Sequence, residues 1–176
     1  QYQKNGYDHF MLKEIFEQEN LMDKLNNIYL KNLDKIMDIS KYNKIHIIGC
    51  GTAYHAGMIG KYLIENYSDF EVNTYIASEY RYQKIFADDK TLVIATSQSG
   101  ETADTLACIK KVKKYGCKTL GIVNVKNSSI ARIVDEVIYT NAGQEVAVAS
   151  TKAYSSQVYI FSLLALKLGI TKGLIN

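Results

Sequence analysis

Between residues 41 and 140, short runs of β-branched and aliphatic residues alternate with stretches in which apolar positions recur every three or four residues. The first pattern is that of strands and the second that of amphipathic helices, so the alternation predicts βα units. Strands are expected at 44–49, 72–77, 91–96, 118–124 and 136–140, and helices at 53–67, 102–115 and 151–168. A short helical turn is expected from Ser128 or Ser129 through Val134. The strand runs are mostly continuous rather than alternating, which predicts burial on both faces and hence a parallel sheet. The expected fold class is α/β, a three-layer αβα arrangement around five parallel strands.

Residues 8–19 predict a helix ahead of this core, and Asn20 is placed to cap a second one. In that second helix Leu21, Leu25, Ile28, Tyr29, Leu33 and Ile36 recur at helical spacing. The chain therefore reads as an N-terminal helical segment, 1–40, before an α/β core, 41–176, and its 176 residues suit one domain. The last helix is apolar at Tyr154, Val158, Phe161, Ala165 and Leu168, and on a neighbouring face at Ile160, Leu163 and Leu164. Burial on more than one side follows, either as a central core helix or as a surface that meets another domain or subunit.

Composition narrows the function classes. A net charge of +3, with lysines scattered rather than gathered into an arginine-rich stripe, argues against a nucleic-acid partner. Cys50, Cys108 and Cys117 have neither CxxC nor Cys/His spacing, so no disulfide framework and no metal site is expected, and a reducing compartment fits. Residues 1–6 lack a signal-peptide pattern, and no run of eighteen apolar residues occurs, so a cytoplasmic protein without a membrane partner is expected. The chain starts at Gln1 rather than methionine, and a piece of a longer protein is expected.

Small hydroxyl residues gather ahead of three helical patterns: Gly49-Cys50-Gly51-Thr52, Thr96-Ser97-Gln98-Ser99-Gly100-Glu101-Thr102 and Val148-Ala149-Ser150-Thr151. A helix N-terminus offers unpaired N–H groups and the positive dipole end, so such clusters suit a phosphate without a cationic side chain. In an open parallel sheet these loops gather at the carboxyl ends of the strands, and convergence on one crevice is expected. A dinucleotide fingerprint fails because its third glycine falls at Tyr54, and the Gly-Lys-Ser/Thr of an NTPase phosphate loop is missing. No cofactor is expected.

Serine and threonine are also ordinary helix caps, so Thr52 and Ser150 are each either a cap or a ligand contact. Ser97, Ser99 and Thr102 together exceed the one side chain a cap needs. Cys50 reads as a small packed residue, since no histidine and carboxylate pair is placed to activate it. His9, His46 and His55 read as core or surface residues, and Lys110, Lys111, Lys113 and Lys114 as the wet face of their helix. Glu101 and Glu145 are the carboxylates nearest the loops; Glu101, in a first helical turn, serves either the dipole or proton transfer.

The run Ser97-Gln98-Ser99-Gly100-Glu101-Thr102-Ala103-Asp104-Thr105-Leu106 resembles the phosphosugar loop of sugar isomerase (SIS) domains. Cys50 through Gly57, Thr140-Asn141-Ala142-Gly143-Gln144-Glu145 and Val148 through Ala153 are similar to one branch of that family, the glutamine:fructose-6-phosphate aminotransferases. His9 through Gln18 resembles the segment that enters that branch's isomerase region.

The resemblance implies the SIS fold with flavodoxin-like winding, in an enzyme that joins a glutaminase to two SIS halves and makes glucosamine 6-phosphate from fructose 6-phosphate. This chain would be the first half, with the glutaminase domain, the second half and a homodimer mate as partners. Carried over, Ser97, Gln98, Ser99 and Thr102 would hold the phosphate and Thr52, Val148 and Ser150 the sugar, with Cys50, Gly51, Ala53, Gly100 and Glu101 beside them. Ala53 departs from the serine common there, and Glu19 from a proline. The glutaminase cysteine, the proton-transfer glutamate and the ring-opening histidine and lysine map to no residue here, so no catalytic residue is assigned. A non-catalytic phosphosugar sensor and a stand-alone phosphosugar isomerase are the alternative readings.

Overall fold

The computed structural model describes residues 3–176. Helix α1 (Phe10–Ile28) and a 3-10 turn (Leu30–Lys35) precede alternating elements: β1 (Lys44–Gly49), α2 (Thr52–Glu65), β2 (Glu71–Ile76), α3 (Ala77–Tyr80), β3 (Thr91–Ser97), α4 (Ala103–Lys113), β4 (Lys118–Val123), α5 (Ser129–Ile133), β5 (Glu136–Tyr139) and α6 (Lys152–Thr171). All five strands pair in parallel, in the order β2-β1-β3-β4-β5. The α/β class, the five parallel strands and the flavodoxin-like winding are as expected from the sequence.

Side chains alternate across each strand, so the sheet has two separate cores. Ile45, Ile47, Leu92, Ile94, Leu120 and Ile122 face α2 and α6, where Phe161 and Leu164 close the layer. Ile48, Val93, Ala95 and Val123 face the opposite layer with Ile109, Val112 and Ile130. Every residue of β3 is buried, which is why its run reads as continuous. Helix α2 lies close to α6: a Cβ at Gly60 would stand 2.4 Å from Phe161 Cδ1.

Four expectations need correction. Asn20 caps nothing; it lies exposed inside the single helix α1, whose buried face is formed by Glu14, Leu21 and Leu25. Those positions are seven and four residues apart and stack on one side of the helix, and no glycine or proline between them breaks it. The stretch from Leu30 to Lys35 is a 3-10 turn with a kink at Asn32, not a continuation of α-helix. Lys111 is not on a wet face, because its Nζ donates to the carbonyls of Tyr80, Arg81 and Gln83 and ties the end of α3 to α4. Helix α3 itself went unforeseen, and Ala77, given to a strand, opens it.

Helix α6 is the one helix among the described residues long and apolar enough to cross a membrane. Its burial in this core, against α1 and α2, accounts for that apolarity.

His46, on β1, is buried and shares a 2.7 Å hydrogen bond between its Nδ1 and the Tyr80 hydroxyl. Burial disfavours the imidazolium and, with the Lys44 charge, pushes the His46 pKa down to about 4. An unfolded chain takes up this proton near pH 6.5, so the folded state loses stability as pH falls from there towards 4. Between pH 7.5 and 5 the loss is expected to be about 2 kcal/mol. Urea midpoints measured across that range on the wild type and His46→Gln test this: the variant, lacking the proton, is expected to show that much less slope with pH.

Candidate functional site

The winding order reverses between β1 and β3, which pair from Lys44 opposite Thr91 to Ile48 opposite Ala95. Their crossovers leave to opposite faces, so the loops at their carboxyl ends part and open a crevice. The segments 50–52 and 98–102 emerge side by side there.

The loop after β3 is built around its own hydroxyls. Ser97 is 3% exposed. Its Oγ accepts the Gly100 amide at 3.1 Å and lies 2.9 Å from Thr102 Oγ1. One hydroxyl of that pair donates to the other, which leaves a proton on the pair for an outside acceptor. Ser99 Oγ accepts the Glu101 amide at 3.2 Å. Gln98 is half-buried, and its carbonyl accepts the Asn124 amide.

Thr102 stands at the N-cap of α4, but no side chain caps that helix. The first-turn amides of α4 therefore face the crevice with the dipole behind them. Asp104, in that turn, is neutralised by Arg81 at 2.5 Å. Thr96, Thr105 and Ser128, before, after and beside this loop, each have a buried hydroxyl without a hydrogen-bond partner. Such groups each cost about 1–3 kcal/mol when left unpaired.

Glu101 is exposed and bonded to the neighbouring loop. Its carboxylate accepts the Ser129 amide at 2.7 Å, and the bonds from Ser129 hold it below the usual carboxylate range. It fastens the β4–α5 loop to the β3 loop, a structural contact. Gly100 completes that junction with φ of 68°, its carbonyl accepting Ile130 N.

Gly51, with φ of 56°, occupies the N-cap of α2. Thr52 is thus the first helical residue, exposed, and the capping alternative for it falls away. Ala53 is 8% exposed, and Cys50 is half-buried at the edge of the core on the α4 side. Burial pushes the other two thiols up, Cys108 to about 12 and Cys117 to about 11. No cluster of metal-ligating side chains occurs among the described residues.

The third hydroxyl cluster differs from the expectation. The N-terminus of α6 already holds an anion: Glu145 Oε1 accepts the amides of Thr151 and Ala153, at 2.9 and 3.2 Å, and Thr151 Oγ1. Val148 is fully exposed and Ser150 half-buried in the loop between. Glu14 of α1 accepts the amides of Val146 and Ala147, and Lys152 pairs with Glu17 at 2.7 Å. Burial opposes ionisation of Glu17, but the bond and charge of Lys152, aided by Lys13, keep its carboxyl below the usual range.

The sequence singled out neither Glu14 nor Asn124. Asn124, just past β4, donates to Gly143 O and accepts from Thr140 Oγ1 and Ala142 N, which shapes the 140–143 turn. Beside it Gln98, Lys126, Glu145 and Lys24 line a cavity of about 460 Å³. A second cavity, of about 540 Å³, lies between α1 and the 141–152 segment.

Hydroxyls and an uncapped helix end meet at a topological switch point, an arrangement whose free donors suit an anion, and residues 38–167 match the SIS domain family. The chain belongs to that family. Within it, the chain is 47% identical over 183 residues to a glutamine–fructose-6-phosphate aminotransferase (isomerizing) of Clostridium tetani, covering 99% of this chain and 30% of the relative. The Caldanaerobacter subterraneus enzyme of the same name is 46% identical, over 97% of this chain and 30% of its own length. Among solved structures, the C-terminal domain of the glucosamine-fructose-6-phosphate aminotransferase of Francisella tularensis superposes with a TM-score of 0.88 at 38% identity. That match covers 99% of this chain and 51% of the other. The chain thus spans about 30% of the length of these curated relatives.

The junction at Gly100 is the most constrained point of the site, since a Cβ there would lie 2.1 Å from Ser128 Oγ. Gly100→Ala is expected to destabilise the fold by about 2 kcal/mol or more in urea denaturation. Adding Ser128→Gly is expected to remove the clash and leave about 1 kcal/mol from the positive φ.

Proposed function

We propose that this chain is the first phosphosugar-binding half of the isomerase region of a glutamine-dependent enzyme that converts fructose 6-phosphate to glucosamine 6-phosphate. The observation that carries this reading is the uncapped amide end of α4 fronted by Ser97, Ser99 and Thr102. Similarity along nearly the whole chain to enzymes named for that conversion supports it.

In this reading the helical segment 1–40 and the core 41–176 form one SIS domain. Ser97, Gln98, Ser99 and Thr102 hold the phosphate, while Thr52, Val148 and Ser150 meet the sugar. Cys50, Gly51, Ala53, Gly100 and Glu101 shape the walls. Phosphate bound by backbone dipoles and hydroxyls fixes the far end of the substrate, so that binding energy there orients C1 and C2 for reaction. Amination and proton transfer fall to groups outside this chain. Its partners are then a glutaminase domain, a second SIS half and a homodimer mate, in the cytoplasm.

The chain alone is expected to bind sugar phosphate without turning it over. Fructose 6-phosphate at a hundred times its dissociation constant should stabilise it by about 2.7 kcal/mol, read as a rise in thermal midpoint. Ser99→Ala is expected to weaken that binding about tenfold. Plain fructose should give no shift; an unshifted midpoint with the sugar phosphate, or glucosamine 6-phosphate formed by the chain alone, counts against the reading.

A further inference from the structure

We infer that Glu14 of α1 is a positioning residue for the sugar-facing loop 145–151, an inference that rests on the function proposed above. The first half of α1 is turned inside out for an amphipathic helix. Leu12, Ile15 and Phe16 are 40, 41 and 58% exposed, whereas Glu14 is 2% exposed. A carboxylate is costly to bury unless hydrogen bonds replace its water.

Here those bonds come from one place, 132 and 133 residues further along the chain. Glu14 Oε1 accepts Val146 N at 2.6 Å, and Ala147 N lies 3.3 Å from Oε1 and 3.2 Å from Oε2. At the other end of the loop Glu145 accepts the amides of Thr151 and Ala153. Val148, Ala149 and Ser150 are therefore slung between two carboxylate anchors, with Val148 and Ala149 exposed. Lys152, 5% exposed, bonds Glu17, and Ser155 bonds Gln18, so α1 grips both the loop and the start of α6.

The Glu14 carboxylate offers two acceptor oxygens and no donor, so it takes Val146 N on Oε1 and Ala147 N on both oxygens. A glutamine in its place keeps one acceptor oxygen, loses the Oε2 bond to Ala147 N and turns an amide NH₂ towards that N–H, so Glu14→Gln weakens the grip without changing the side chain's size. The loop then samples other backbone conformations, and the ordering lost is made up from ligand binding. The phosphate cradle, on β3 and α4, makes no bond to Glu14 and is left as it was.

Two measurements test this. In the unaltered chain, amide hydrogen exchange followed by NMR is expected to show Val146 and Ala147 protected at least tenfold more than Ala149, although Val146 is exposed. Equal exchange at the three overturns the anchor. In Glu14→Gln, affinity for fructose 6-phosphate is expected to fall about tenfold with affinity for inorganic phosphate unchanged, and Glu14→Asp, which keeps the charge, to recover part of it. Unchanged fructose 6-phosphate affinity in a folded variant, or equal loss for both ligands, overturns the positioning role. If Glu14→Gln fails to fold, the exchange pattern of the unaltered chain decides. Failure of the unaltered chain to bind any sugar phosphate counts against the proposed function, and with it the role, but leaves the exchange pattern to judge the anchor.

Discussion

Parallel strands cannot be joined by tight turns, so each step between neighbouring strands needs a crossover, and the pairing of β1 with β3 sends those crossovers to opposite faces of the sheet. From that pairing the rest follows. It places the α2 and α6 layer on one side and the α3, α4 and α5 layer on the other. It also leaves the ends of the two central strands without a shared roof, which is where the hydroxyl loops lie.

Several helices start at or near this edge of the sheet, and the protein treats them differently. Glu101 reaches the start of α5 and Glu145 fills that of α6, while α2 begins at a bare glycine and α4 at a threonine whose side chain makes no cap. Two positive helix ends are thus quenched from within and two are left open, both beside the crevice. The positive potential of helix ends is therefore concentrated at the crevice, and the protein's own carboxylates contribute to that contrast as much as its hydroxyls.

The strands were legible to within a residue or so: β1, β3 and β4 are largely apolar runs because burial on both faces imposes that composition, whereas β2 carries Asn73 and Thr74 and buries only Val72. The loop of Ser97 to Thr102 stood out by its density of hydroxyls. Helix α1 was misread at Asn20 because its inward face carries Glu14 in a position where an apolar residue would have continued the period of Leu21 and Leu25. The reason for that carboxylate is two amides distant in sequence, and no local pattern records such a partner. Lys111 was misplaced for the same kind of reason, since its carbonyl acceptors belong to another element.

The three thiols differ in a way that makes the crevice chemically addressable. Cys108 and Cys117 are buried, and their raised pKa values keep them protonated and inert at neutral pH. Cys50 is half-exposed and sits at the exit of β1, between two glycines and next to the start of α2. A maleimide or a fluorinated alkylating reagent would therefore attach a single reporter at the mouth of the crevice. Occupancy by a ligand becomes something one can watch spectroscopically, with no cysteine first having to be engineered out.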